Sequence, residues 1–176
     1  MLDRLGLEYL DLVYLHQPIG DVQGAWQALE QCVKEGKIRA LGLSNFDADE
    51  ELFDKMLAEA EIKPVAMQIE CHPLAQRRAW QEKLAANDIQ FESWYPLGGR
   101  TPGGESLREN PEIIKIAEAH GKSPVQVIIR WHIQEGFSVV PGSSNPAHIA
   151  ENIDVYDFEL TDAEMMFRNW TGDDKV

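Results

Sequence analysis

Short apolar runs alternate with amphipathic stretches along the chain, and that alternation constrains the fold more than any other feature. The apolar runs are LDLVYLH at 10–16, IRALGLS at 38–44, AMQIECH at 66–72, IQFESWYP at 89–96 and FSVVP at 137–141. Each is short, rich in β-branched or aromatic residues, and bounded by Pro, Gly, Asn or Ser, as strands are. The stretches between them carry helical spacing. In 23–35, Ala25, Trp26, Leu29 and Val33 form one apolar stripe, and Gly36 supplies the stop. Further helices are expected over 47–60, starting at Asp47, and over 75–87, 111–119 and 124–135. Thr161 with Glu164 makes a capping box for a last short helix. Repeated βα units require parallel strands, because each helix must carry the chain back across the sheet.

Two architectures satisfy that pattern, a doubly wound sheet and a (β/α)8 barrel. A dinucleotide-binding doubly wound fold needs a glycine-rich turn after its first strand. The first strand here runs into His16-Gln17-Pro18 instead, so five βα units of a barrel are the expectation. A complete barrel typically takes about 250 residues and seldom fewer than 200. The sequence has 176, which is expected to form a single domain over 1–176 with a partial barrel. An unclosed barrel leaves open strand edges, and self-association through them is expected.

Composition narrows the function. A net charge of −14 argues against general nucleic-acid binding, which needs basic surface to neutralise phosphates. No apolar run approaches the roughly 18 residues a membrane helix needs. Asp3 and Arg4 interrupt the opening where a signal peptide would be apolar, and two cysteines do not make a disulfide framework. A cytoplasmic location follows as an expectation.

Barrel chemistry gathers at the carboxyl ends of strands. That rule selects His16 and Gln17, Ser44 and Asn45, Gln68 with Glu70 and His72, Trp94, and Ser143 with Ser144. Singly, each has an ordinary reading: His16 a structural histidine, Ser44-Asn45 an N-cap for the next helix, Trp94 plain core. Jointly they point to a site. No G-x-S-x-G elbow is present, and PLGGRTPGGES lacks the lysine and spacing of a phosphate-binding P-loop. Cys71 and His72 are adjacent on a strand and face opposite ways, which argues against shared metal ligation.

The blocks RLGLEYLDLVYLHQP, GKIRALGLSNF, QIECHP, WYPLGG, SPVQVIIRW and VVPGSSNPAHIAEN, in that order and spacing, resemble the carboxyl-terminal portion of the aldo-keto reductases. The resemblance runs from about residue 2 to about residue 165. It implies strands four to eight of a (β/α)8 barrel and an NAD(P)H-dependent oxidoreductase that reduces small aldehydes or ketones to alcohols. It gives His16 the role of orienting or polarising the substrate carbonyl. Ser44, Asn45 and Gln68 would hydrogen-bond the nicotinamide carboxamide. Trp94, where the family has Tyr, would stack beneath the ring, and Leu97 and Gly98 would pass over the pyrophosphate. Ser143, His148, Glu151 and Asn152 would meet the adenosine end, with Glu151 and Asn152 on adenine.

Two departures bear on the cofactor. Gly142 and His148 stand where the family has the Lys and Arg that grip the 2′-phosphate of NADP. Each charge-assisted contact contributes roughly 1.5–3 kcal/mol, so their loss erodes NADP preference and leaves NADP or NAD open. Arg100, on the glycine-rich loop, is a candidate replacement cation. The resemblance also places the family's catalytic Tyr, Lys and Asp in the first three βα units, ahead of this sequence. General acid catalysis is worth about 10²–10⁴ in rate, so this chain alone is expected to be inactive. The alternatives are a non-catalytic nicotinamide-nucleotide-binding or interaction module, and an inactive fragment.

Overall fold

The computed structural model describes residues 2–98 and 106–166. After a short helix α1 (Leu2–Leu5), the chain runs β1 (Leu10–Leu15), α2 (Val22–Lys34), β2 (Ile38–Ser44), α3 (Glu50–Glu59), β3 (Ala66–Glu70), α4 (Arg78–Ala85) and β4 (Gln90–Trp94). It continues with α5 (Pro111–His120), α6 (Pro124–Gln134), β5 (Ser138–Val139), α7 (Pro146–Ile153) and α8 (Asp162–Met165). The strands form one five-stranded sheet in the order β1-β2-β3-β4-β5. Contacts divide the chain into two compact units: residues 1–69 with 79–91, and residues 70–78 with 92–176.

In the first unit β1 pairs β2, and β2 pairs β3, both parallel, with Tyr14 opposite Gly42 and Ser44 opposite Gln68. Central β2 is buried along most of its length, as its near-continuous apolar run predicts for a strand covered on both faces. Edge strand β1 is more exposed and carries Asp11 in an ion pair with Arg39 at 2.8 Å. Leu41, Leu43, Phe46, Phe53, Met67, Ile69 and Leu84 are fully buried in the core. Trp26 Nε1 donates to Ile62 O at 3.2 Å, while the buried Glu30 carboxylate accepts Ile62 N–H at 2.9 Å. Together they tie α2 to the loop before β3.

Gly42 is sterically required. A Cβ there would lie 2.5 Å from a Tyr14 ring carbon and 3.0 Å from Ala66 O. Gly42→Ala is expected to cost on the order of 1–3 kcal/mol through overpacking, read as a lowered urea midpoint. An unchanged midpoint would mean that the Tyr14 ring moves freely aside.

In the second unit β4 pairs β5 through Glu92–Ser138 and Ser93–Val139, and Cys71 N–H donates to Trp94 O at 3.3 Å. Ile113, Val127, Ile128 and Trp131 are fully buried. Both α6 and α8 begin with complete capping boxes, Ser123–Gln126 and Thr161–Glu164. Among the described residues no helix is long and apolar enough to cross a membrane.

Several boundaries differ from the sequence reading. The helix expected from Asp47 starts at Glu50, with Asp49 as its cap, because Phe46–Ala48 forms a 3-10 turn first. The helix expected over 75–87 begins only at Arg78. Ala75 pairs back to His72, and Arg77 has φ 55°, so the chain reverses before the helix can start. The run 137–141 yields a strand of only two residues. Helix α7 was not read from the sequence, although Asn145-Pro146 is a sound start: Asn145 Oδ1 accepts Ala147 N–H at 3.0 Å.

Candidate active site

Within the first unit, β1, β2 and β3 bring four of the expected site residues to their carboxyl ends. His16 follows β1 directly and its side chain is exposed, which removes the reading of a buried structural histidine. Ser44 closes β2 and is fully buried. Asn45 takes a left-handed conformation, φ 63°, and makes no side-chain cap bond, so the N-cap reading of this pair fails. Its Nδ2 instead donates to His16 O and to Ser44 Oγ, both at 3.0 Å. Its own N–H donates to Gln68 O at 3.0 Å. Asn45 therefore joins the ends of three strands. With both amide hydrogens committed, its Oδ1 remains as an acceptor. Gln68 is half-buried beside it in sequence register, while neighbouring Ile69 is fully buried, as strand alternation requires.

Within the second unit, Trp94 closes β4 and is half-buried, so it is not plain core. Its Nε1 is buried without a hydrogen-bond partner among the described residues. Tyr95, next in sequence, has a φ of 56°, and the Trp94 and Tyr95 rings lie 5.5 Å apart at 56°. Leu97 and Gly98 follow, half-buried, with Gly98 at φ 56°, where a Cβ would meet Leu107 at 3.0 Å and the His72 ring at 3.4 Å. Arg100 lies outside the described residues.

Ser143 Oγ accepts Asn145 N–H at 3.1 Å, which leaves its hydroxyl hydrogen available as a donor. Gly142, Ser143 and Asn152 line a groove of about 1060 Å³ whose walls include Ile129, Val139 and Ile149. Among the described residues no charged side chain lines it. Gly142 is exposed with open space where a Cβ would point, and His148 is exposed on α7, so neither position carries a lysine or an arginine. Glu151 and Asn152 are half-buried on the same helix. Among the described residues no cluster of three or more His, Cys, Asp or Glu could hold a metal ion.

Two histidines of the second unit, His72 and His132, are buried. His72 Nε2 lies 3.8 Å from Glu70 Oε1, too far for a hydrogen bond, and Nδ1 has no partner. Burial, then His132 and Arg77, pushes its pKa down to about 4. His132 is fully buried within α6, a position that local sequence pattern marks only as helix interior.

Parallel strands with helical crossovers, ending in hydrogen-bonding or aromatic side chains, define an α/β protein of the barrel class. Residues 1–167 match the aldo/keto reductase family. The chain is 41% identical to morphine 6-dehydrogenase of Pseudomonas putida, covering 93% of this chain and 58% of that protein. It is 41% identical to glyoxal reductase of Bacillus subtilis, covering 93% and 57%. It superposes on an aldo/keto reductase from Brucella melitensis with TM-score 0.85 and 36% identity, covering 93% of this chain and 62% of that one. A variant of Gox0644 solved in complex with NADPH superposes with TM-score 0.82 and 40% identity, covering 94% and 59%. The chain belongs to the aldo/keto reductase family and spans somewhat under two thirds of the length of these relatives. Its five parallel strands are those of a partial (β/α)8 barrel.

Proposed function

We propose that the chain holds the nicotinamide cofactor of an NAD(P)H-dependent carbonyl reductase. The Asn45 knot is the observation that supports this most. It consumes both amide hydrogens internally and leaves an oxygen, which suits the N–H donors of a carboxamide. Gln68 adds a second amide on the next strand, and Ser44 orients Asn45 from behind. In the second unit, Trp94 offers an indole face to the nicotinamide, and Leu97 and Gly98 offer the loop over the pyrophosphate. Ser143, His148, Glu151 and Asn152 take the adenosine end. When bound, the cofactor supplies hydride to a carbonyl carbon. His16 orients the carbonyl oxygen from the exposed end of β1. The substrate is a small aldehyde or ketone, the class to which the glyoxal reductase relative points by name.

NADH and NADPH are both accommodated, because neither position 142 nor position 148 carries a lysine or an arginine. Titration of the protein with either nucleotide, followed by tryptophan quenching and energy transfer to the reduced ring, is expected to saturate. Absence of saturation up to about 1 mM would overturn the proposal. Gly142→Lys places an ammonium where the structure leaves open space. It is expected to raise NADPH affinity about tenfold and leave NADH unchanged, the equivalent of one charge-assisted contact. Equal gains for both nucleotides would show that the lysine meets the pyrophosphate rather than the 2′-phosphate.

A further inference from the structure

The peptide of Cys71, immediately after β3, is gripped from three places in the second unit. Its N–H donates to Trp94 O at 3.3 Å. Its carbonyl accepts Ser93 Oγ–H at 2.7 Å, and His132 Nε2 lies 3.1 Å from the same oxygen. The His132 ring is fully buried and wedged edge-on against Trp131, with centroids 4.8 Å apart and planes at 83°. Its Nδ1 lies 2.8 Å from Ile128 O, one turn back in its own helix. Burial holds the ring below the ordinary histidine range, so at neutral pH it carries one N–H. Ile128 O already has a donor in the backbone ladder of α6. A proton on Nε2, by contrast, joins α6 to the strand end.

We propose that His132 is a positioning residue that fixes the Cys71 peptide through Nε2–H, and through that peptide the backbone of Trp94. The consequence for the cofactor rests on the reading of Trp94 as the stacking residue; the consequence for the Cys71 peptide does not. Ser93 keeps Cys71 O satisfied when His132 is replaced, so the fold is expected to survive the change.

The test compares His132→Phe, His132→Gln and His132→Asn. Phenylalanine keeps the ring volume and removes both donors. The glutamine amide nitrogen reaches the Nε2 position, and the asparagine amide nitrogen reaches only the Nδ1 position. Amide hydrogen exchange of Cys71 is expected to speed about tenfold in the Phe and Asn variants and stay within about twofold of the parent in the Gln variant. NADPH affinity is expected to follow the same order. Uniform exchange across all variants, or rescue by Asn rather than Gln, would overturn the proposal. If exchange follows the predicted order while the parent protein binds no nucleotide, His132 positions the peptide and the cofactor reading is the one that fails.

Discussion

Asn45→Ala is expected to destabilise the protein by about 2–3 kcal/mol and to weaken nucleotide binding about tenfold or more. Two effects add. Asparagine offsets part of the roughly 1–2 kcal/mol cost of a Cβ in the left-handed region through local hydrogen bonds of its side chain, and alanine at φ 63° has no such offset. It also removes the amide that bonds His16 O and Ser44 Oγ, each bond contributing about 0.5–1.5 kcal/mol. Asn45→Gly separates the two, because glycine accepts the backbone angle without strain. The glycine variant is expected to recover about half of the lost stability, yet bind nucleotide as poorly as the alanine variant. Urea unfolding and nucleotide titration on the same samples measure both quantities. If alanine and glycine variants both match the parent in stability, the strand ends are held by something other than Asn45. If only binding is unchanged, Asn45 Oδ1 does not meet the ligand.

The second large effect is acid destabilisation through His72. Its folded pKa of about 4 lies below the ordinary 6.5, so the unfolded chain takes up a proton that the folded chain refuses. Stability contributed by the neutral ring is complete above the ordinary value, is lost as pH falls from 6.5 towards 4, and changes no further below that. Integrated over that window, the loss is about 3 kcal/mol. Carboxylates titrate in the lower part of the same range, so the measurement is the difference between the parent and His72→Gln, a side chain that cannot charge. Urea unfolding as a function of pH is expected to show a steeper fall in the parent between these two limits. Parallel curves would show that His72 is hydrated or paired in the folded state.

Much of this architecture is legible in the letters. Ile38–Ser44 reads as a strand and is one, buried along most of its length, because its apolarity is nearly continuous and Lys37 and Asn45 bound it. The capping box at Thr161 is local chemistry and is realised as read. Boundaries fail where tertiary pairing decides the backbone. Arg77 and Tyr95 take positive φ, and the Ala75–His72 pairing delays α4, none of which a propensity scale registers. The site divides the same way. His16, Ser44, Asn45, Gln68 and Trp94 are found by the rule that chemistry sits at strand ends. The internal bonding of Asn45 is not, since two of its three partners, His16 O and Gln68 O, come from strands distant in sequence. His132 is invisible for a related reason: its partner, Cys71 O, lies 61 residues away.

Binding of a nicotinamide nucleotide at the strand ends is reported by the side-chain resonances of Asn45, Gln68 and Trp94. In ¹⁵N-labelled protein titrated with NADPH or NADH, the Asn45 and Gln68 carboxamide signals and the Trp94 indole N–H are expected to shift in a saturable manner with a common dissociation constant. Shifts confined to other residues, with Asn45, Gln68 and Trp94 unmoved at saturation, would contradict it.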